Sequence, residues 1–139
     1  MRLLSGLMMM VGLALGFGSP AALAQQNICE GMQLAPAPSE VWDSNWGPLA
    51  LDLTNMSSIK GLWSQGDGMV GQLCNGSYDS GSRLLQFDYY QDWNQQTGHA
   101  TLVLSADGRQ MVGSWSQQPD GTSGDWTATL STPSMLLSS

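Results

Sequence analysis

The sequence predicts an all-β protein, an eight-stranded antiparallel up-and-down (meander) barrel. Three observations predict it. Short runs of alternating apolar and polar residues recur at intervals of about ten between residues 40 and 131. Turn-forming pairs separate them. No stretch sustains the helical period of 3.6.

The runs, in order, are Val41–Trp46, Leu49–Thr54, Ile59–Ser64, Met69–Cys74, Arg83–Trp93, His99–Ser105, Gln110–Ser116 and Gly124–Leu130. The breaks are Asn55-Met56-Ser57-Ser58, Gly66-Asp67-Gly68, Asn75-Gly76 through Gly81, Thr97-Gly98, Asp107-Gly108 and Pro119-Asp120-Gly121. Asn-Gly and Asp-Gly suit tight hairpins because both residues accept positive φ at low cost. Period two gives each strand one apolar face. Leu49, Leu51 and Leu53 oppose Ala50, Asp52 and Thr54; Leu85, Phe87 and Tyr89 oppose Gln86, Asp88 and Tyr90; Trp126, Ala128 and Leu130 oppose Asp125, Thr127 and Thr129. An antiparallel sheet covering a core on one side has this pattern. Short connections favour sequential neighbours, and closure of eight such strands removes the exposed edges.

A weak internal repeat agrees. Ile59-Lys60-Gly61-Leu62-Trp63 matches Met111-Val112-Gly113-Ser114-Trp115, and Met69-Val70-Gly71-Gln72-Leu73 is a partial third copy. Inward glycines beside large residues fit a narrow barrel interior.

Residues 1–24 are expected to be a signal peptide. Arg2 is followed by a short apolar run to Phe17, and the segment closes on Ala22-Leu23-Ala24 with cleavage expected after about Ala24. Gly12, Gly16, Gly18 and Pro20 break the run too soon for a membrane anchor. Residues 25–39 are expected to form an extended Pro-rich lead-in, because Pro36 and Pro38 disfavour helix. The barrel is expected over 40–131 and a C-terminal tail over 132–139. The expected location is secreted or periplasmic, and there Cys29 and Cys74, the two cysteines of the chain, are expected to pair.

Without Arg2, the basic residues Lys60, Arg83 and Arg109 face eleven carboxylates, leaving the chain strongly acidic. Phosphate recognition needs clustered Lys and Arg, so nucleic acid is not an expected partner, nor is an anionic membrane. No later segment has the length and apolarity to insert in a bilayer. No metal and no cofactor is expected: His99 is the one histidine, and no C-x-x-C occurs. No serine sits in a nucleophile elbow. Asp88 and Asp92, four apart on an aromatic-rich strand, are the one pair of carboxylates that could serve a hydrolase.

Six tryptophans, with Asn and Gln in number, are the most informative feature. Indole supplies a flat apolar wall and amides supply orienting hydrogen bonds, the materials of a sugar or small-molecule site. Trp63, Trp115 and Trp126 suit the barrel core; Trp42, Trp46 and Trp93 are open to either role. The candidate ligand-binding residues are Trp42, Trp46, Trp63, Asp88, Tyr90 and Trp93, and no residue is assigned as catalytic.

Two resemblances add to this. Trp42-Asp-Ser-Asn-Trp46-Gly47, Ile59-Lys-Gly61-Leu-Trp63 and Met111-Val-Gly113-Ser-Trp115 look like the W-x-x-x-W-G and h-x-G-x-W motifs (h, apolar) of small secreted bacterial β-meander proteins, which implies a fold and no activity. More loosely, Trp42, Gly47, Gly61, Trp126 and Thr129 keep spacings similar to those of the avidin and streptavidin barrel, an architecture shared with lipocalins. That family's biotin-binding positions hold Ser44, Pro48, Trp63 and Gln65 here, so the resemblance implies the barrel without most of the hydrogen bonds to biotin. The expected function is non-catalytic binding of a small molecule or sugar outside the cytoplasm. The alternatives are a protein-interaction module, such as an inhibitor of an envelope or secreted hydrolase, and a hydrolase using strand carboxylates.

Overall fold

A computed structural model describes residues 26–132; the expected signal peptide and most of the expected C-terminal tail lie outside the described residues. The strands are β1 (Glu40–Ser44), β2 (Gly47–Asp52), β3 (Ile59–Ser64), β4 (Val70–Asp79), β5 (Leu84–Gln91), β6 (Gln96–Leu104), β7 (Gln110–Gln118) and β8 (Ser123–Leu130). Each pairs antiparallel with the next, and β1 pairs with β8 to close the barrel. Among the described residues there is no helix.

Every strand buries the face that its alternation predicts. Leu49, Leu51, Leu85, Phe87, Leu102, Leu104 and Met111 are fully buried inside, and Trp126, Ala128 and Leu130 nearly so. At about 25 cal/mol per Å² of apolar surface, this shared interior is the main driving term of the fold. The barrel has two unlike ends. The base, where the β2–β3, β4–β5 and β6–β7 connections lie, is filled by Leu53, Ile59, Leu104 and Leu130. The other end carries the β1–β2, β3–β4, β5–β6 and β7–β8 connections and holds the rings of Trp63, Tyr89, Trp115 and Trp126.

Two expected breaks lie inside strands. Asn75-Gly76 is not a hairpin: β4 continues through it, and the pairing to both neighbours shifts there. Asn75 takes φ 55° and Gly76 backs directly onto Ile59, so the pair forms a bulge that bends β4 around the base. Gly98, expected in a turn, lies within β6 against the face of the Tyr89 ring, which occupies the space a Cβ would need.

Residues 26–39 form a strap on the outer wall. It starts with a tight turn, Glu30 N–H donating to the Asn27 carbonyl (3.2 Å) and Met32 N–H to that of Cys29 (3.2 Å). The Cys29–Cys74 disulfide ties it to β4, with Cα atoms 5.5 Å apart. Further on, the Ala35 N–H donates to Asp52 Oδ2 (2.9 Å) and Lys60 Nζ donates to the Gln33 carbonyl (2.6 Å). Under this strap the outward-facing Asp52 and Tyr90 are buried.

Candidate functional site

The aromatic end of the barrel is open. It contains a cavity of about 220 Å³, with Trp63, Tyr89 and Trp126 on its inner surface and Trp46, Trp93 and Trp115 toward the rim. The amides of Gln65, Gln91, Asn94 and Gln117 complete the lining. Among the described residues, no Asp, Glu, Lys, Arg or His lines it.

Strand alternation places the inner residues. Trp63, one residue before the end of β3, points inward, and Gly71, its partner on β4, leaves room for the indole to lie across it. Tyr89 lies over Gly98 in the same manner. The rings then pack edge to face: Trp63 with Tyr89 at 5.3 Å, with Trp126 at 5.2 Å and with Trp93 at 6.3 Å. Such contacts are favoured by the aromatic quadrupole and hold the inner surface in one arrangement. Trp126 Nε1 has no acceptor and no open surface among the described residues. Its ring packs edge to face with Trp63, Phe87 and Tyr89 and forms part of the wall.

The polar groups form two sets. The first fixes the wall. The Tyr89 hydroxyl donates to Gln117 Oε1 (2.8 Å), and Gln117 Nε2 donates to Asp120 Oδ2 (2.9 Å). Burial raises the Tyr89 pKa far above its ordinary value, and the Asp120 charge adds to this, so Tyr89 stays a neutral donor. The Thr122 N–H, with help from Gln117 and the Thr122 hydroxyl, lowers the Asp120 pKa and keeps the carboxylate charged. Asp120 N–H in turn donates to Gln96 Oε1 (2.9 Å), joining the β7–β8 connection to the start of β6. The second set has capacity to spare. Trp63 Nε1 donates to Gln65 Oε1 (3.2 Å) and Gln91 Nε2 to Asn94 Oδ1 (3.2 Å). Gln65 Nε2, Asn94 Nδ2 and Gln91 Oε1 then have no partner among the described residues.

Of the candidates from sequence, the structure brings Trp46, Trp63 and Trp93 together at this cavity. The others lie elsewhere. Trp42 is fully buried in the core, donating to Glu40 Oε1 (3.1 Å). Tyr90 faces outward and is covered by the disulfide and Met32. Asp88 is on the outer wall, 2.9 Å from His99 Nδ1 and accepting from Asn75 Nδ2 (3.2 Å). Asp92 is exposed in the β5–β6 turn, and neither carboxylate lines the cavity. Sequence reasoning missed Gln65, Tyr89, Gln91, Asn94, Trp115, Gln117 and Trp126 as lining residues. A usable signal existed. Inward parity carried to the open-end turn of β5 and β7 reaches Gln91 and Gln117, where an amide occupies a position that packing alone would fill with an apolar group.

The class defined by this fold and site is a closed antiparallel β-barrel with one end plugged by aliphatic side chains and the other a neutral pit of indole and amide. Compared with known proteins, the chain matches no family model, no curated protein and no solved structure.

Proposed function

We propose that this chain is a non-catalytic binding protein working outside the cytoplasm, and that the open end of its barrel takes a small uncharged ligand. The observation carrying this reading is the 220 Å³ cavity, where indole walls and unspent amide groups meet with no charged side chain in the lining among the described residues. Apolar concavity with a few convergent polar groups is the usual make-up of a small-molecule site. Core packing alone does not call for such a pit, since apolar packing could have closed it as it closes the base. An extracytoplasmic location is supported by the Cys29–Cys74 bond, which persists in oxidising compartments, and by the leader pattern of residues 1–24.

Titration of the purified protein with a panel of uncharged sugars, ureas, amides and lactams, with biotin included as an anionic control, tests the reading. Binding at the pit should change the tryptophan emission, and Trp93→Ala should weaken it at least about tenfold. Trp93 is only half-buried, so this variant should keep its fold. An unchanged emission and no heat of binding across the panel would overturn the reading.

A further inference from the structure

We infer that the ligand is the terminal unit of an uncharged glycan, a single pyranose held in the pit with the next sugar on an adjoining shelf; this rests on the binding role proposed above.

Barrel topology fixes how the lining is distributed. Trp46 lies in the β1–β2 connection and Trp93 in the β5–β6 connection, four strands apart in either direction around a closed eight-stranded ring. The two connections are therefore on opposite sides of the ring, and the Trp46 indole leans onto β7 and β8, against Trp115 and the Asp125 carbonyl. Gln65 follows β3 and Gln117 lies one residue before the end of β7, which also puts these two positions on opposite sides of the ring. A guest thus meets indole from the Trp46–Trp115 and Trp63–Trp93 pairs, with amide groups set among them. A pyranose matches that mixture, with apolar C–H faces and a hydroxyl rim that both donates and accepts. Gln91 Oε1 supplies an acceptor, and Gln65 Nε2 and Asn94 Nδ2 supply donors. A wholly aromatic guest would leave these groups without partners, which is costly once water is excluded. A charged guest would find no counterion in the lining, and the Asp120 carboxylate behind Gln117 disfavours an anion.

The shape of the pit limits it to one ring at a chain end. Its 220 Å³ is below the roughly 300–1,000 Å³ of sites for drug-sized ligands. Trp63, Tyr89 and Trp126 close it from below, so no chain passes through. A second, open depression shares Trp46 and Gln65 with the pit and runs outward over Gly47, Pro48, Ser64 and Gly66. It offers a place for the neighbouring sugar between the β1–β2 and β3–β4 connections.

The test uses methyl glycosides of glucose, galactose, mannose and N-acetylglucosamine, with their β1,4-linked di- and trisaccharides, in calorimetry and tryptophan fluorescence. One series should bind. Its disaccharide should exceed its methyl glycoside by about tenfold, and its trisaccharide should add less than about twofold. Pro48→Glu, at an exposed shelf position, should remove the disaccharide gain and spare the methyl glycoside; Trp93→Ala should weaken both. Blocking the terminal hydroxyls by permethylation should abolish binding. Affinity that keeps rising with chain length, or that survives blocked ends, overturns the terminal-unit inference. If no sugar binds while an uncharged urea, amide or lactam does, the glycan inference falls and the binding role stands. Silence from sugars and non-sugars alike takes away both.

Discussion

Trp46 and Trp115 donate their indole N–H groups to one acceptor, the backbone carbonyl of Asp125, at 2.9 and 3.2 Å. The rings meet edge to face with centroids 5.6 Å apart. Asn45 Nδ2 donates to the same oxygen (3.0 Å), and Asn45 Oδ1 accepts from the Thr127 N–H (2.9 Å). One carbonyl on β8 thus anchors the β1–β2 hairpin and one indole wall of the pit.

That shared acceptor makes its donors unequal in cost. In Trp115→Phe the oxygen keeps Asn45 and Trp46, so the loss in stability should stay near about 1 kcal/mol or less. Asn45→Ala removes a donor and also leaves the Thr127 N–H without its side-chain acceptor, so it should cost more, about 1–2 kcal/mol. Urea denaturation of the two variants checks the order. Equal losses would mean that the Asn45–Thr127 bond contributes nothing.

Gly98 has no room for a side chain. A methyl group there would enter the space held by the Tyr89 ring, whose hydroxyl is tied to Gln117. Gly98→Ala should therefore cost about 1–3 kcal/mol and displace Tyr89 from the pit wall. Chemical denaturation measures the first effect, and near-UV circular dichroism reports the second. Gly121→Ala makes a useful contrast, since no atom lies near its Cβ position and its cost comes from a φ of 71° alone.

Gly98 also shows how far the fold was legible in the sequence. Strand number, pairing order and inward faces follow from period-two alternation, a local signal repeated eight times. Asn75-Gly76 and Thr97-Gly98 carry turn chemistry, which by itself predicts a turn at each. What decides them is non-local: Ile59 behind Gly76 and Tyr89 over Gly98. The candidate site was half legible for a similar reason. An indole announces itself, so Trp46, Trp63 and Trp93 stood out. Whether a given tryptophan faces the pit, the core or the strap depends on strand register and on which end of the barrel stays open. Tyr90 and Asp88 looked available because the strap's path and the His99 pairing are tertiary facts.

The strap supplies the last prediction, which concerns pH. Asp52 is 4% exposed and serves as acceptor for the Thr54 hydroxyl (2.6 Å), the Thr54 N–H (3.0 Å) and the Ala35 N–H (2.9 Å). The Thr54 hydroxyl is the largest cause of a pKa lowered from the ordinary aspartate value; the Ala35 and Thr54 backbone N–H groups and the Lys60 charge add to it, and burial opposes it. A carboxyl whose pKa is lower in the folded state stabilises fully above its unfolded value, about 3.9, and that contribution is lost as pH falls through the folded value. Native stability from this source should accordingly be flat near neutrality and decline only below about pH 4. Asp52→Asn removes the charge while keeping an oxygen acceptor. It should lower stability at pH 7 by about 1–3 kcal/mol and reduce the loss between pH 4 and pH 2. Hydrogen exchange at the Ala35 amide gives the local readout: protection should fall in acid in the parent chain and already be low at pH 7 in the variant. An amide equally protected in both at pH 7 would show that the strap is held by Cys29–Cys74 and the Lys60–Gln33 bond without Asp52.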